Sequence, residues 1–240
     1  MNIQQLLSPF RRAINDYGLI ENGDKIAVGV SGGKDSLALL TLMRTYQRYF
    51  DCKFDLMAIT IDMGFQKNAF EPVKKYCDDL EIEYKIVKTD IAEIIFDVRK
   101  EKNPCSLCAK MRRGALNSEI TAQGYNKLAL GHHLDDIVET FMLSLFYEGR
   151  LSTMQPKSFM SRSGVTLIRP MIYLSEKDVS GLAKTLPVVN NPCPANKHTE
   201  RENMKLLLAD LSEKYPDLNQ KFANAIMHPE RYNLWDDKTQ

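Results

Sequence analysis

Lys25–Leu40 reads KIAVGVSGGKDSLALL. KIAVGV is a short apolar run that predicts a buried strand, and the segment opening at Ser36 carries the apolar periodicity of a helix. Between them lie two glycines and a lysine, the makings of a phosphate cradle. Gly32 and Gly33 allow close backbone approach, so successive N–H groups can converge on an anion. The helix N-terminus adds partial positive charge and Lys34 a formal one. The familiar P-loop has a glycine five residues before its Gly-Lys pair and Ser or Thr after it; here those positions are Val28 and Asp35. A tight strand-to-helix turn with a solvated lysine is the plain alternative. The whole string Ser31–Ser36, set between a strand and a helix, favours the anion.

Outward from this loop the chain alternates. Ile3, Leu7, Phe10, Ile14 and Tyr17 recur at helical steps and predict an N-terminal helix within residues 1–20. Further strands are expected in FDLMAITID from Phe54, YKIVKTD from Tyr84, KLALGHH from Lys127 and TLIRPMIYL from Thr166. Helices are expected in AFEPVKKYCDDL, SLCAKMRRGALNSEITAQG, DDIVETFMLSLFYEG and EKDVSGLAKTL. Five strands alternating with helices predict an α/β fold: a parallel five-stranded sheet with helices on both faces, over residues 24–190. Residues 191–240 turn helical, most clearly in RENMKLLLADLSEKY, so the expectation is one domain over 1–240 with helical ends. In such a sheet ligands bind where the strands end and their order reverses, and Ser31–Ser36 directly follows the first strand.

At 240 residues and 44% hydrophobic, the chain can bury one sizeable core. A net charge of +1 argues neither for nor against a polyanionic partner. No apolar run is long enough to cross a membrane, and the first residues do not resemble a secretory signal. Five cysteines in that setting predict a cytoplasmic protein with metal or redox chemistry rather than disulfides.

Cys105 and Cys108 form a Cys-x-x-Cys pair in PCSLCAKMRRG, and Cys193 stands alone in NNPCPANKH. Soft thiolates favour zinc, copper(I) or an iron–sulfur cluster. Three cysteines would leave one iron of a 4Fe–4S cluster open to an exogenous ligand such as sulfide. Zinc in a Cys3His set with His198, or a reduced pair holding no metal, are the alternatives. Cys77 shares a helical face with Val73 and Leu80, the spacing of a core position, and Cys52 is set aside with it.

SGGKDS resembles the signature of the PP-loop, or N-type, ATP pyrophosphatases, whose fold is of the adenine nucleotide alpha hydrolase kind. The resemblance implies cleavage between the α- and β-phosphates of ATP, with transfer of an adenylyl group to a substrate oxygen. It implies nucleotide contacts at Ser31, Gly32, Gly33, Lys34, Asp35, Ser36, Gly131 and Asp135, and adenine contacts at Ile59 and Asp62 in ITID. PCSLCAKMRRG, GHHLDDIVETFMLSLFYEGR, RPMIYLSEKD and NNPCPAN in turn resemble blocks of the tRNA 2-thiocytidine synthetase group, in its order. That resemblance runs from about Asp24 to the C-terminal helices. It implies a 4Fe–4S cluster on Cys105, Cys108 and Cys193, ATP with Mg²⁺, tRNA as substrate, and a sulfur donor that is a cysteine desulfurase or inorganic sulfide. The related thiouridine branch carries zinc-binding cysteine pairs at both termini, and this chain has none. Where the third block often has a second cysteine, this chain has Asn196, and it is shorter than typical members.

Asp135 and Asp136 in GHHLDD could hold Mg²⁺ or cap the next helix. The resemblance favours Asp135 as the active-site acid and leaves Asp136 open. His132 and His133 read equally as phosphate contacts or structural histidines. Arg112, four residues after Cys108, shares its helical face. It keeps its charge and so reads as a phosphate or oxyanion clamp rather than a base, with Lys34, Asp35 and Asp135 as the other catalytic candidates. Arg99, Lys100, Lys102, Lys110, Arg112 and Arg113 surround the cysteine loop; Arg150, Lys157, Arg162 and Arg169 form a second basic set. The favoured function is ATP-dependent thiolation of a tRNA cytidine. Sulfuration of another base or a small molecule, through the cluster or a Cys persulfide, is one alternative, and a non-enzymatic ATP-binding redox module is another. A homodimer is an open expectation.

Overall fold

The first strand, β1 (Lys25–Gly29), is buried through its centre, as its apolar run requires. In the computed structural model, which describes residues 3–66, 69–100, 104–189, 193 and 200–234, it pairs in parallel with β2 (Asp55–Asp62) and β4 (Lys127–Ala129). β3 (Glu83–Lys88) extends the sheet beyond β2, and β6 (Val165–Ile168) extends it beyond β4, both in parallel. The sixth strand, β5 (Lys157–Met160), lies antiparallel on the β6 edge, giving the order β3-β2-β1-β4-β6-β5.

The sheet therefore has six strands, not the five expected, and one is antiparallel. β5 is four residues long and leaves Phe159 69% exposed, so it carries no buried apolar run to announce it. The strand expected from Thr166 ends at Ile168, because Pro170 has no N–H to continue a ladder.

The chain packs as two compact units, one of Met1–His133 with Gln155–His198 and one of Leu134–Met154 with Thr199–Gln240. The first contains the sheet. Along β1, Ile26 and Val28 face one side and Ala27 the other, the alternation of a strand buried on both faces. On the Ile26 side pack α1 (Ile3–Tyr17), α2 (Lys34–Tyr49), α3 (Glu71–Asp79) and α6 (Glu176–Ala183). On the other, Leu116 and Ile120 of α4 (Pro104–Ala122) cover Ala27, Met57 and Leu128. A buried pair, Asp24 with Lys127 at 2.6 Å, ties the entrance of β1 to β4, and Asn126 donates to the same carboxylate.

In the second unit, Val138, Phe141 and Met142 of α5 (Leu134–Leu143) pack with Met204 and Leu208 of α7 (Glu200–Lys214). Phe222 of α8 (Leu218–Met227) closes this core against Phe141. Arg201 secures α7 to α5 by ion pairs to Asp136 and Glu139 and a hydrogen bond to Thr140. Among the described residues no helix is long and apolar enough to cross a membrane.

Candidate functional site

The strand order reverses beside β1, where β2 lies on one side and β4 on the other. Ser31–Ser36 leaves β1 at that point. α2 begins at Lys34, two residues earlier than expected, so Lys34, Asp35 and Ser36 occupy its first turn. Their N–H groups have no acceptor inside the helix, and Gly33 caps it without a side-chain hydrogen bond. Ser36 turns inward: its hydroxyl donates to the Gly33 carbonyl (2.9 Å) and accepts from the Ser31 N–H (3.1 Å). The loop is thus shaped by its own hydroxyls, which take up the Ser31 and Gly33 N–H groups and leave the first-turn N–H groups of α2 for a ligand.

Two glycines permit this shape. Gly32 has φ +83°, and a Cβ there would meet the Val189 side chain at 3.1 Å. Its carbonyl accepts from the Val189 N–H at 2.9 Å, so the segment after α6 is fastened to the loop. Gly131, just past β4, lies against the start of α2: a Cβ would stand 2.8 Å from the Asp35 carbonyl oxygen and 3.1 Å from the Ser36 nitrogen.

Lys34 Nζ is held between two carboxylates, Asp35 at 2.7 Å and Glu176 at 3.2 Å. Burial would lower its pKa, but these two partners outweigh burial and raise it, so the ammonium is charged. His133, buried, lies with Nε2 3.8 Å from Asp35. Sequence alone does not single out Glu176; its one signal is its place as the first helical residue, between Ser175 and Asp178 of the capping box. The Ile59 carbonyl accepts from the Val30 N–H within the sheet. Asp62, at the strand end, accepts from the Gly64 N–H at 3.0 Å.

The cysteines belong to the same unit. Pro104 opens α4, where a missing N–H costs nothing. One turn of helix puts Cys105, exposed, and Cys108, half-buried, on one face. Cys108 donates to the Met63 sulfur at 3.5 Å, just beyond the last residue of β2. Burial pushes the Cys108 thiol up; Arg112 pulls it down by charge and a hydrogen bond, and Cys193 and Cys105 push it up. The structure thereby brings together all three predicted cysteines and Arg112. Cys193 lies four residues beyond Val189, which is bonded to the loop. Among the described residues no three His, Cys, Asp or Glu side chains converge on a point suited to a single metal ion. A cubane asks for something else, since its thiolates bind different irons at separate corners. His198, Asn196 and Lys102 lie outside the described residues.

Asp135 and Asp136 open α5 in the second unit. There Asp135 accepts from Asn219 at 2.8 Å, and Asp136 pairs with Arg201 at 3.2 Å. A separate cavity of about 740 Å³, lined by Leu7, Arg11, Thr45 and Tyr49 among others, opens at the far end of α2 from the loop.

Comparison with known proteins adds the following. The PP-loop domain family matches residues 2–202. The tRNA-cytidine(32) 2-sulfurtransferase of Syntrophotalea carbinolica is 39% identical over 230 residues, covering 94% of this chain and 89% of that protein. The protein of the same name from Tolumonas auensis is 37% identical, covering 95% and 76%. Among solved structures, the U34-tRNA thiolase NcsA from Methanococcus maripaludis with its 4Fe-4S cluster superposes with a TM-score of 0.77 at 26% identity, covering 96% of this chain and 79% of that one.

Proposed function

The chain belongs to the PP-loop family, and from that premise we propose that it is an ATP-dependent tRNA sulfurtransferase. In this reading it adenylates the C2 carbonyl oxygen of a cytidine, then exchanges that oxygen for sulfur, releasing AMP and pyrophosphate. The relatives named for cytidine 2-sulfuration support the substrate. The observation that carries the reading is the surroundings of Cys108, which has Arg112, Cys105 and Cys193 as electrostatic neighbours and packs on Met63 just past β2. Adenylation alone needs a phosphate cradle; a cradle and three neighbouring thiols in one unit suit activation followed by sulfur delivery.

Cys105, Cys108 and Cys193 would hold a 4Fe–4S cluster as thiolates. The donor set fits by its chemistry, three soft ligands; as a free thiol, Cys108 is held above its ordinary pKa by burial, which Arg112 offsets only in part. The thiolase of similar fold that carries such a cluster supports this choice over zinc. When bound, the cluster would supply an open iron for presenting sulfur.

The remaining work falls to side chains and backbone. The first-turn N–H groups of α2 and Lys34 hold the β- and γ-phosphates, Lys34 exchanging its carboxylate partners for phosphate oxygens. The cytidine C2 oxygen attacks the α-phosphorus, the bond to the bridging oxygen breaks, and pyrophosphate leaves on the cradle. Sulfur at the oxidation level of sulfide adds at C2, and the oxygen departs on AMP, so no net electrons are needed. Inorganic sulfide supplies it directly; a cysteine desulfurase hands over persulfide sulfur, which a thiol reductant must first bring to the sulfide level with two electrons. Arg112, whose side chain is exposed, neutralises charge developing on the reacting nucleotide. Asp62 and the end of β2 receive the adenine. For Asp135 as the carboxylate toward Mg²⁺ the support is the resemblance of GHHLDD alone. A tRNA substrate agrees with a cytoplasmic location.

The test is product identity: anaerobic turnover should be tRNA-dependent and yield AMP and pyrophosphate. ADP and phosphate, or turnover indifferent to tRNA, would refute it.

A further inference from the structure

We propose that Arg169 and Arg113 form a phosphate-binding subsite for the polynucleotide backbone, beside the cysteines, with His132 orienting Arg169. This rests on the tRNA reading above and deepens it. Arg169 follows β6 and His132 follows β4; these strands are neighbours, so both residues stand at the carboxyl edge of the sheet that carries the loop. Arg169 is aimed by two bonds: its Nε donates to His132 Nδ1 at 3.3 Å and its Nη1 to the Gln155 carbonyl. His132 thus acts as the acceptor that orients the Arg169 guanidinium.

The charges around this cluster are unbalanced. Burial first, then the neighbouring Arg113 guanidinium, push the Arg169 pKa down to about 10, which still leaves it charged at neutral pH. Among the described residues no carboxylate pairs with Arg169 or Arg113. A half-buried guanidinium facing a second one is costly unless an anion compensates it. The planar fork of arginine suits two oxygens of one phosphate.

Phosphate could come from ATP or from the nucleic acid, and position favours the latter. ATP's phosphates have their own cradle after β1, two strand spacings from β6, or about 10 Å. Arg113 instead adjoins Arg112, which is bonded to Cys108. A phosphodiester next to the reacting nucleotide would sit there.

The experiment measures tRNA binding against salt, and ATP binding by calorimetry, for the wild type, Arg113→Ala and Arg169→Gln. Arg113 is exposed, so its variant tests the proposal even where Arg169→Gln fails to fold. Each substitution should reduce the slope of log affinity against log salt by about one and leave ATP affinity at the wild-type value. Wild-type slopes in both variants would overturn the subsite while leaving the function standing. A parallel loss of ATP affinity would assign the site to ATP and overturn the proposal. Absence of tRNA binding by the wild type at low salt would sink the subsite and the tRNA reading together.

Discussion

Gly131→Ala isolates the packing that holds the loop. The added Cβ would stand 2.8 Å from the Asp35 carbonyl oxygen, 2.9 Å from its carbon and 3.1 Å from the Ser36 nitrogen. All three are backbone atoms, so no flexible side chain can swing aside. Ordinary contact begins near 3.4 Å, and the start of α2 must retreat by about 0.6 Å. Overpacking of this kind costs about 1–3 kcal/mol. The functional loss should be larger, because Lys34 and the first-turn N–H groups move with the helix. A misplacement near 1 Å costs on the order of a hundredfold, so a tenfold to hundredfold fall in AMP formation is expected. Gly114→Ala is the control, since nothing lies within 4 Å of its added Cβ on α4, and helix propensity predicts a gain of about 1 kcal/mol. The assay pairs thermal melting with initial rates of AMP release. Wild-type melting and turnover in Gly131→Ala would refute the argument that this close approach sets the cradle.

Three further outcomes are expected. Protein prepared without oxygen should lose its iron and sulfide on Cys105→Ala, Cys108→Ala or Cys193→Ala and keep them on Cys52→Ala or Cys77→Ala. Cys77, fully buried with its thiol pushed up to about 12 by burial and then Asp78, should also resist alkylation until the chain unfolds; stoichiometric zinc in colourless anaerobic protein would argue for the Cys3His site. Lys34→Ala and Asp35→Ala should greatly reduce ATP-dependent turnover without lowering the melting temperature by more than a few degrees, both being partly exposed. Lys127→Met should destabilise the first unit by about 3–5 kcal/mol by leaving buried Asp24 without its cation. Burial alone would raise the Asp24 pKa, but bonds from Lys127, the Glu21 N–H and Asn126 outweigh it and hold the carboxyl below its ordinary 3.8. This stabilisation is therefore full above pH 3.8 and lost as pH falls through the lower folded value; an acid-unfolding curve with the same steepness in Lys127→Met would contradict it.

The sequence announces elements whose burial is written in consecutive residues. β1 and α2 follow from KIAVGV and SLALL, and the helical step from Cys108 to Arg112 is the contact found at the thiol. Long-range packing left weaker traces. β5 escapes notice because an edge strand of four residues needs no apolar run. Glu176 escapes because its meeting with Lys34 is made by the packing of α6 on α2, between residues 142 positions apart. Periodicity also marks α5 as a helix without saying that it packs with α7 and α8 in a unit apart from the sheet. Gly131 was marked by family resemblance, while the reason for it, backbone against backbone, belongs to the fold.

The most direct test of the account is nucleoside mass spectrometry on unmodified tRNA incubated anaerobically with the iron-loaded protein, Mg-ATP and sulfide. The account predicts 2-thiocytidine, formed only with ATP and in equal amount to AMP, and absent with Lys34→Ala or Cys108→Ala. Unchanged tRNA, sulfur on uridine instead of cytidine, or thiolation that proceeds without ATP would contradict it.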